Sequence, residues 1–254
     1  MSDSLKESLK ELRLSAMSER YGAIAQKSSV EKLGLVEYLG VLVDIELEHR
    51  YHKRIKKLMR QSKIPRAKNI KDFDLARLPG VSPQLISDLS KGDFIDRAEN
   101  LLIFGNPGTG KTHLSIALTQ EWCSSGRKVL FISAAELMHD LIKSKQDLIW
   151  NRKIEQLNKN DVLIIDDISY VPCSREEADL LFILLASRYE SKSVVITSNL
   201  AFAQWNTIFK DDITTAAAID RLVHHSTILK LNAESYRKAT ALHNQNTVEA
   251  VMKP

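Results

Sequence analysis

An α/β fold on a parallel sheet is predicted for the larger, C-terminal part of this chain, with a smaller all-helical part before it. Three observations carry that expectation. After Leu101, short apolar runs that read as strands alternate with helix-like stretches. The glycine-rich loop Gly105-Asn106-Pro107-Gly108-Thr109-Gly110-Lys111-Thr112 joins the first such run to the first such stretch. No strand pattern precedes Leu101.

In the N-terminal part, Leu5, Leu9, Leu12 and Ala16 recur at helical spacing, and Ser4 with Glu7 fits a capping box. A longer helix is predicted from about Val36 to Met59 through Leu39, Leu42, Leu47, Ile55 and Leu58, with Pro65 ending it. Ser82 as N-cap and Pro83 at the first helical position open a short helix that Gly92 should stop. The boundary is expected near 92–99, giving a helical domain 1–97 and an α/β domain 98–254. Strands are predicted at 101–104, 129–132, 162–165, 194–197 and 227–231, and helices at 113–123, 135–143 and 176–189. Short apolar strands separated by helices imply crossovers and a parallel sheet buried on both faces.

Composition narrows the function classes. The chain has 254 residues, 44% of them hydrophobic, enough to bury a real core. Its longest apolar runs, such as 162–165, are too short to span a bilayer. The N-terminus is charged and lacks the apolar stretch of a signal peptide, so no membrane association and a cytoplasmic location are expected. Cys123 and Cys173 are the two cysteines and have no metal-type spacing, which excludes a disulfide framework and a structural zinc site. His224-His225 reads as structural or solvated, because no third ligand is spaced to complete a metal site.

Charge is uneven. Residues 1–97 carry 19 Lys/Arg against 14 Asp/Glu, whereas the remainder is nearly balanced. Between 50 and 71 there are ten basic residues and no acidic one, Lys53, Arg54, Lys56, Lys57, Arg60, Lys63 and Arg66 among them. Such a block favours a polyanion, and nucleic acid is the preferred partner. A solvated helix face and a membrane surface are the alternatives.

The glycine loop matches G-x-x-x-x-G-K-[ST] without a mismatch. Glycines let backbone amides converge on phosphate oxygens, and the following helix adds the positive end of its dipole. Lys111 is expected at the β- and γ-phosphates and the Thr112 hydroxyl on Mg²⁺. A glycine loop that merely turns from strand to helix leaves Lys-Thr at the helix start unexplained. Asp166 and Asp167 follow the apolar run 162–165, at the strand end where open α/β sheets place ligands. Asp166 is the natural Mg²⁺ partner and Asp167 the group that orients the attacking water; an Asp-containing turn is the plainer reading. Asn199 ends the next strand and can hold the same water or the γ-phosphate, unless it only forms an Asx-turn.

The order of P-loop, Asp166-Asp167, Thr197-Ser198-Asn199, Asp220-Arg221-Leu222 and Ser235-Tyr236-Arg237 resembles the AAA+ ATPases. More narrowly it is similar to the branch holding bacterial helicase loaders and IstB-type transposition helpers, with the IstB type favoured. The stretch around Lys63-Ile64-Pro65 and Phe73 extends the resemblance to the N-terminal part. The resemblance implies an ATPase that forms an ATP-dependent homo-oligomer on double-stranded DNA and stimulates a transposase. It assigns Arg221 as an arginine finger for a neighbouring subunit, where a local ion pair is the alternative, and Arg237 as a second nucleotide sensor. Few residues follow Arg237, so a full helical lid is not expected. The family often places Glu where this chain has the shorter Asp167, which implies slow hydrolysis that rises with DNA or partner. Lys143, Lys145, Arg152 and Lys153, between the second and third strands, form a second candidate DNA set. A helicase loader and a nucleotide-gated scaffold are the competing functions.

Overall fold

The computed structural model describes residues 2–70, 73, 78, 81–170 and 174–232. Its contacts divide the chain into two compact units, 1–57 and 58–254.

The first unit is helical: α1 (Ser2–Glu11), α2 (Ser15–Glu31) and most of α3 (Leu35–Gln61). The chain breaks between α1 and α2 at Arg13, whose φ of 60° is left-handed, so the apolar repeat from Leu5 to Ala16 spans two helices. The capping box expected at Ser4 and Glu7 is not used, because α1 already starts at Ser2; the Ser4 carbonyl instead accepts from Ser8 Oγ at 2.9 Å. Leu14, the residue before α2, supplies no side-chain cap. Glu46 of α3 takes that role: its Oε2 accepts from the Ala16 and Met17 amides at 2.8 and 3.2 Å. Arg50, one turn on, donates to Glu46 Oε1 at 3.0 Å and to the Arg13 carbonyl at 3.0 Å.

In the second unit, Ser82 accepts from the Leu85 amide and Gly92 closes α4 (Pro83–Lys91) with a φ of 75°, both as predicted. A Cβ at Gly92 would meet Trp122 Cδ1 at 3.0 Å, so the glycine serves the close approach as well as the turn. After α5 (Asp93–Asp96) come β1 (Asn100–Gly105), α6 (Lys111–Ser124), β2 (Val129–Ser133), α7 (Ala134–Gln146) and α8 (Trp150–Asn158). They are followed by β3 (Val162–Asp166), α9 (Arg175–Arg188), β4 (Ser193–Ser198), α10 (Asn206–Phe209), α11 (Asp212–His224) and β5 (Ser226–Leu231). The five strands form one parallel sheet in the order β2-β3-β4-β1-β5. Leu101, Leu102 and Ile103 are wholly buried, as expected for a sheet covered on both faces. Leu102, Leu163, Ile165 and Ile196 pack with residues of α7, α9 and α11, whereas Leu101, Ile103, Ile164 and Val195 pack with α4, α5 and α6. Trp122 of α6 is wholly buried, donates to the Leu89 carbonyl at 2.8 Å and stacks edge-on with Phe94. The segment 83–96, placed with the N-terminal domain on sequence grounds, thus packs on α6 within the second unit. Among the described residues, no helix is long and apolar enough to cross a membrane.

Candidate nucleotide site

The glycine loop leaves the C-terminal end of β1 and curls back on itself. Thr109 Oγ1 donates to the Asn106 carbonyl at 2.9 Å. Gly108 and Gly110 have φ of 86° and 97°, which side chains rarely tolerate. A Cβ at Gly105 would lie 2.7 Å from both the Leu231 carbonyl and Thr109 Oγ1, so the loop closes tightly only with glycine there. The Lys111 ammonium reaches into the curl and donates to the carbonyls of Gly105 and Asn106 at 2.8 and 3.1 Å. Gly110 gives α6 no side-chain cap, whereas Ser82, Ser133, Ser174 and Asp211 cap α4, α7, α9 and α11. The opening amides of α6 and the inward Lys111 therefore form a cradle suited to phosphate.

Asp166 ends β3, which is not β1's neighbour; β4 lies between them. Strands about 4.8 Å apart put β1 and β3 roughly 10 Å apart. The loop crosses that gap, and the Thr112 hydroxyl lies 3.0 Å from both carboxylate oxygens of Asp166. Pairing of Ile165 with Ile196 sets Thr197 beside Asp166. Thr197 Oγ1 donates to Asp166 Oδ1 at 2.7 Å and accepts from the Asp167 amide at 2.8 Å. Asp167 has a left-handed φ of 60°, which Asp adopts more readily than most residues. One strand over, Ser169 and Ser198 share a hydrogen bond of 3.0 Å, and the Asn199 amide donates to Ser169 Oγ at 2.8 Å. The loop, Thr112, Asp166, Asp167 and Asn199 thus gather at the C-terminal edge of the sheet. The hard oxygens of Thr112 and Asp166, side by side, fit Mg²⁺.

Thr197, read from sequence only as part of a strand end, positions both acids. The signal for it was the parallel register, which a single strand does not reveal. In the sequence Phe73 only extends the family resemblance; its ring lies 5.6 Å from that of His113, and Cε2 would be 3.0 Å from a Cβ at Gly110. Pro107 is exposed at the tip of the loop. Arg237 lies outside the described residues.

Arg221 is elsewhere. The adjoining Leu222 carbonyl accepts from Asn100 Nδ2 at 3.1 Å, and the His225 carbonyl from the Asn100 amide at 2.7 Å. Asn100 starts β1 and Gly105 ends it, a rise of about 16 Å at 3.3 Å per residue. Arg221 therefore stands at the edge of the sheet opposite its own loop, its guanidinium 4.7 Å from the centre of the Phe182 ring. Its Nη1 is buried and has no hydrogen-bond partner among the described residues.

The basic candidates divide. Lys53, Arg54, Lys56 and Lys57 are exposed along α3 in the first unit. In the second unit Arg60 and Lys63 line a groove of about 490 Å³ with Lys128, Lys153 and Lys159. The groove thus joins part of the N-terminal set to part of the insertion between β2 and β3. Lys153 is half-buried and paired with Asp140, Lys63 lies 3.6 Å from Glu136, and Lys145 pairs with Glu176 at 2.8 Å. Arg66 and Lys143 are exposed and do not line the groove.

Fold and loop together define a P-loop nucleotide-binding protein of the AAA+ class. A crystal structure of the DnaC helicase loader is similar in fold, with a TM-score of 0.52 at 19% identity over 64% of this chain and 96% of that one. The model of the IstB-like ATP binding protein family matches residues 7–244, and this chain belongs to that family. It is 36% identical to a protein of insertion sequence IS21 from Pseudomonas aeruginosa, named for ATP binding, over 90% of this chain and 86% of that protein. It is 37% identical to the corresponding protein of insertion sequence IS5376 from Geobacillus stearothermophilus, over 93% and 94%.

Proposed function

We propose that this chain is an ATP-hydrolysing helper that assembles with copies of itself on duplex DNA and recruits and stimulates an insertion-sequence transposase. The observation that carries the reading is the position of Arg221 at the sheet edge opposite its own phosphate loop. Its backbone lies about 16 Å along the sheet from its own loop, farther than an arginine side chain reaches, so in this reading it serves the nucleotide of an adjoining copy, and hydrolysis and assembly become one process. The insertion-sequence relatives favour transposition over helicase loading.

In this reading Lys111 and the first amides of α6 hold the β- and γ-phosphates. Thr112 and Asp166 hold Mg²⁺, which when bound neutralises charge on the phosphoryl oxygens. Asp167, fixed by its amide on Thr197, orients water, and Asn199 holds that water or the γ-phosphate. Arg221 from the neighbour stabilises charge on the transferring group. Asp167 is one methylene shorter than Glu, so its reach is short and turnover is slow until DNA or a partner adjusts the site. Lys53, Arg54, Lys56 and Lys57, with the Arg60–Lys63 groove, contact phosphates without reading sequence, and affinity falls steeply with salt.

Sedimentation of the full chain with duplex DNA, with and without a non-hydrolysable ATP analogue and Mg²⁺, tests the proposal. Large complexes should form only with the analogue and should be lost in Lys111→Ala. Complexes of equal size without nucleotide would overturn it. Asp167→Asn separates out a nucleotide-gated scaffold, which would keep stimulating the transposase where a hydrolysis-driven helper stalls on DNA.

A further inference from the structure

Glu190, His224 and His225 bring three metal-ligating side chains to one exposed place far from the phosphate loop. One ligand atom from each lies within 4.8 Å of the other two. The local chain explains the meeting. Glu190 follows α9 and turns the backbone with a left-handed φ of 54°, and its carboxylate lies 3.7 Å from His225 Nε2. His224 closes α11, with its ring 4.1 Å from that of His225, centre to centre.

The Tyr189 hydroxyl orients His224. It lies 2.9 Å from His224 Nδ1. In the tautomer with Nδ1–H the hydroxyl accepts that proton's bond, and the Nε2 lone pair of His224 is left for a ligand. A ligating histidine held through its other ring nitrogen is the usual arrangement around protein-bound metals.

We propose that Glu190, His224 and His225 form a binding site for a divalent ion of the zinc class. Two imidazoles and a carboxylate suit Zn²⁺, Co²⁺ or Ni²⁺ and do not suit Mg²⁺, so the site is chemically distinct from the Thr112–Asp166 pair. A tetrahedral ion about 2.0–2.1 Å from each atom needs ligand separations near 3.3 Å, a closure of an ångström or so for exposed side chains. Three protein ligands leave a fourth position for water or for a group on another molecule. The ion would tie the end of α9 to the end of α11, one helical turn from Arg221. Metal binding here does not depend on the ATPase proposal.

The test is calorimetric titration of the chelator-treated full chain with Zn²⁺ in excess Mg²⁺, with Co²⁺ as a spectroscopic probe. One equivalent should bind, with the visible Co²⁺ absorption of an imidazole site. Affinity should fall at least about tenfold in His225→Ala and in Glu190→Gln and stay unchanged in His139→Ala. Metal-free melting of the variants checks their fold; if one fails to fold, the other decides. Absence of saturable Zn²⁺ binding, or equal binding by the wild type and whichever variants fold, would overturn the site.

Discussion

The Thr112 hydroxyl lies 3.0 Å from each carboxylate oxygen of Asp166, although β4 stands between β3, which ends at Asp166, and β1, whose loop leads to Thr112 at the start of α6. Thr197 on that intervening strand grips the same carboxylate at 2.7 Å. The three residues form a brace that ties the start of α6 to β4 and β3. Asp166→Asn removes the charge and keeps the shape. Hydrolysis is expected to fall about 10²–10³-fold, with nucleotide affinity losing its dependence on Mg²⁺. Steady-state turnover and binding of a fluorescent ATP analogue across a Mg²⁺ series check both. Thr197→Val should give a smaller loss of turnover and cost about 1–3 kcal/mol of stability, since the Asp167 amide and Asp166 each lose a partner.

Arg221→Ala separates binding from hydrolysis. Its guanidinium lies on Phe182, and the adjoining Leu222 carbonyl meets Asn100 at the far edge of the sheet from its own loop. ATP affinity of the isolated chain should be unchanged, while turnover on DNA falls at least about 10³-fold, the scale of an arginine finger. Mixing Arg221→Ala with Lys111→Ala should restore part of the activity, because each contributes the half of a shared site that the other lacks. No recovery in the mixture would place Arg221 in a purely local role.

Glu46 makes the first unit acid-sensitive. It is 3% exposed, and burial alone would raise its pKa. The Arg50 guanidinium and the Ala16 and Met17 amides outweigh burial and hold the carboxyl below its ordinary 4.5. A carboxyl with a lowered folded pKa stabilises above the unfolded value, and that contribution fades as pH falls through the folded one. The amides of Ala16 and Met17 should lose exchange protection below about pH 4.5. Glu46→Gln should cost about 1–3 kcal/mol at neutral pH and flatten that acid response. Hydrogen exchange resolved by residue measures both.

The parallel sheet and the phosphate loop were legible because their signals are local. A strand's apolar run and the G-x-x-x-x-G-K-T spacing each lie within a few residues. Asp166 was legible for the same reason, as the polar residue after such a run. Thr197, Glu46 and the meeting of Glu190 with His224 and His225 were not, because each depends on register or packing between elements distant in sequence. Ser4 shows the reverse failure. Its spacing to Glu7 fits a cap, yet helix formation two residues earlier took its place. Strand patterns begin near residue 101, but the residues packed on Trp122 decide where the core ends, and they begin before β1.

Arg188 shows how much of the second unit's stability rests on one buried cation. In sequence it is an ordinary basic residue in the last turn of α9; in the fold it is wholly buried. Its guanidinium donates to the carbonyls of Leu157, Asn160 and Ser193 at 3.1, 3.1 and 2.9 Å, gathering the N-terminal ends of β3 and β4. Burial pushes its pKa down to about 10, still far above neutrality, so the group stays charged. Arg188→Met keeps most of the bulk but leaves three buried carbonyls without their donor. It should cost about 3–5 kcal/mol in a denaturant titration. Arg188→Lys should recover little, because a single ammonium cannot reach carbonyls that the planar fork contacts from several nitrogens. Full recovery by lysine would mean that charge alone, and not the fork, holds these strand ends together.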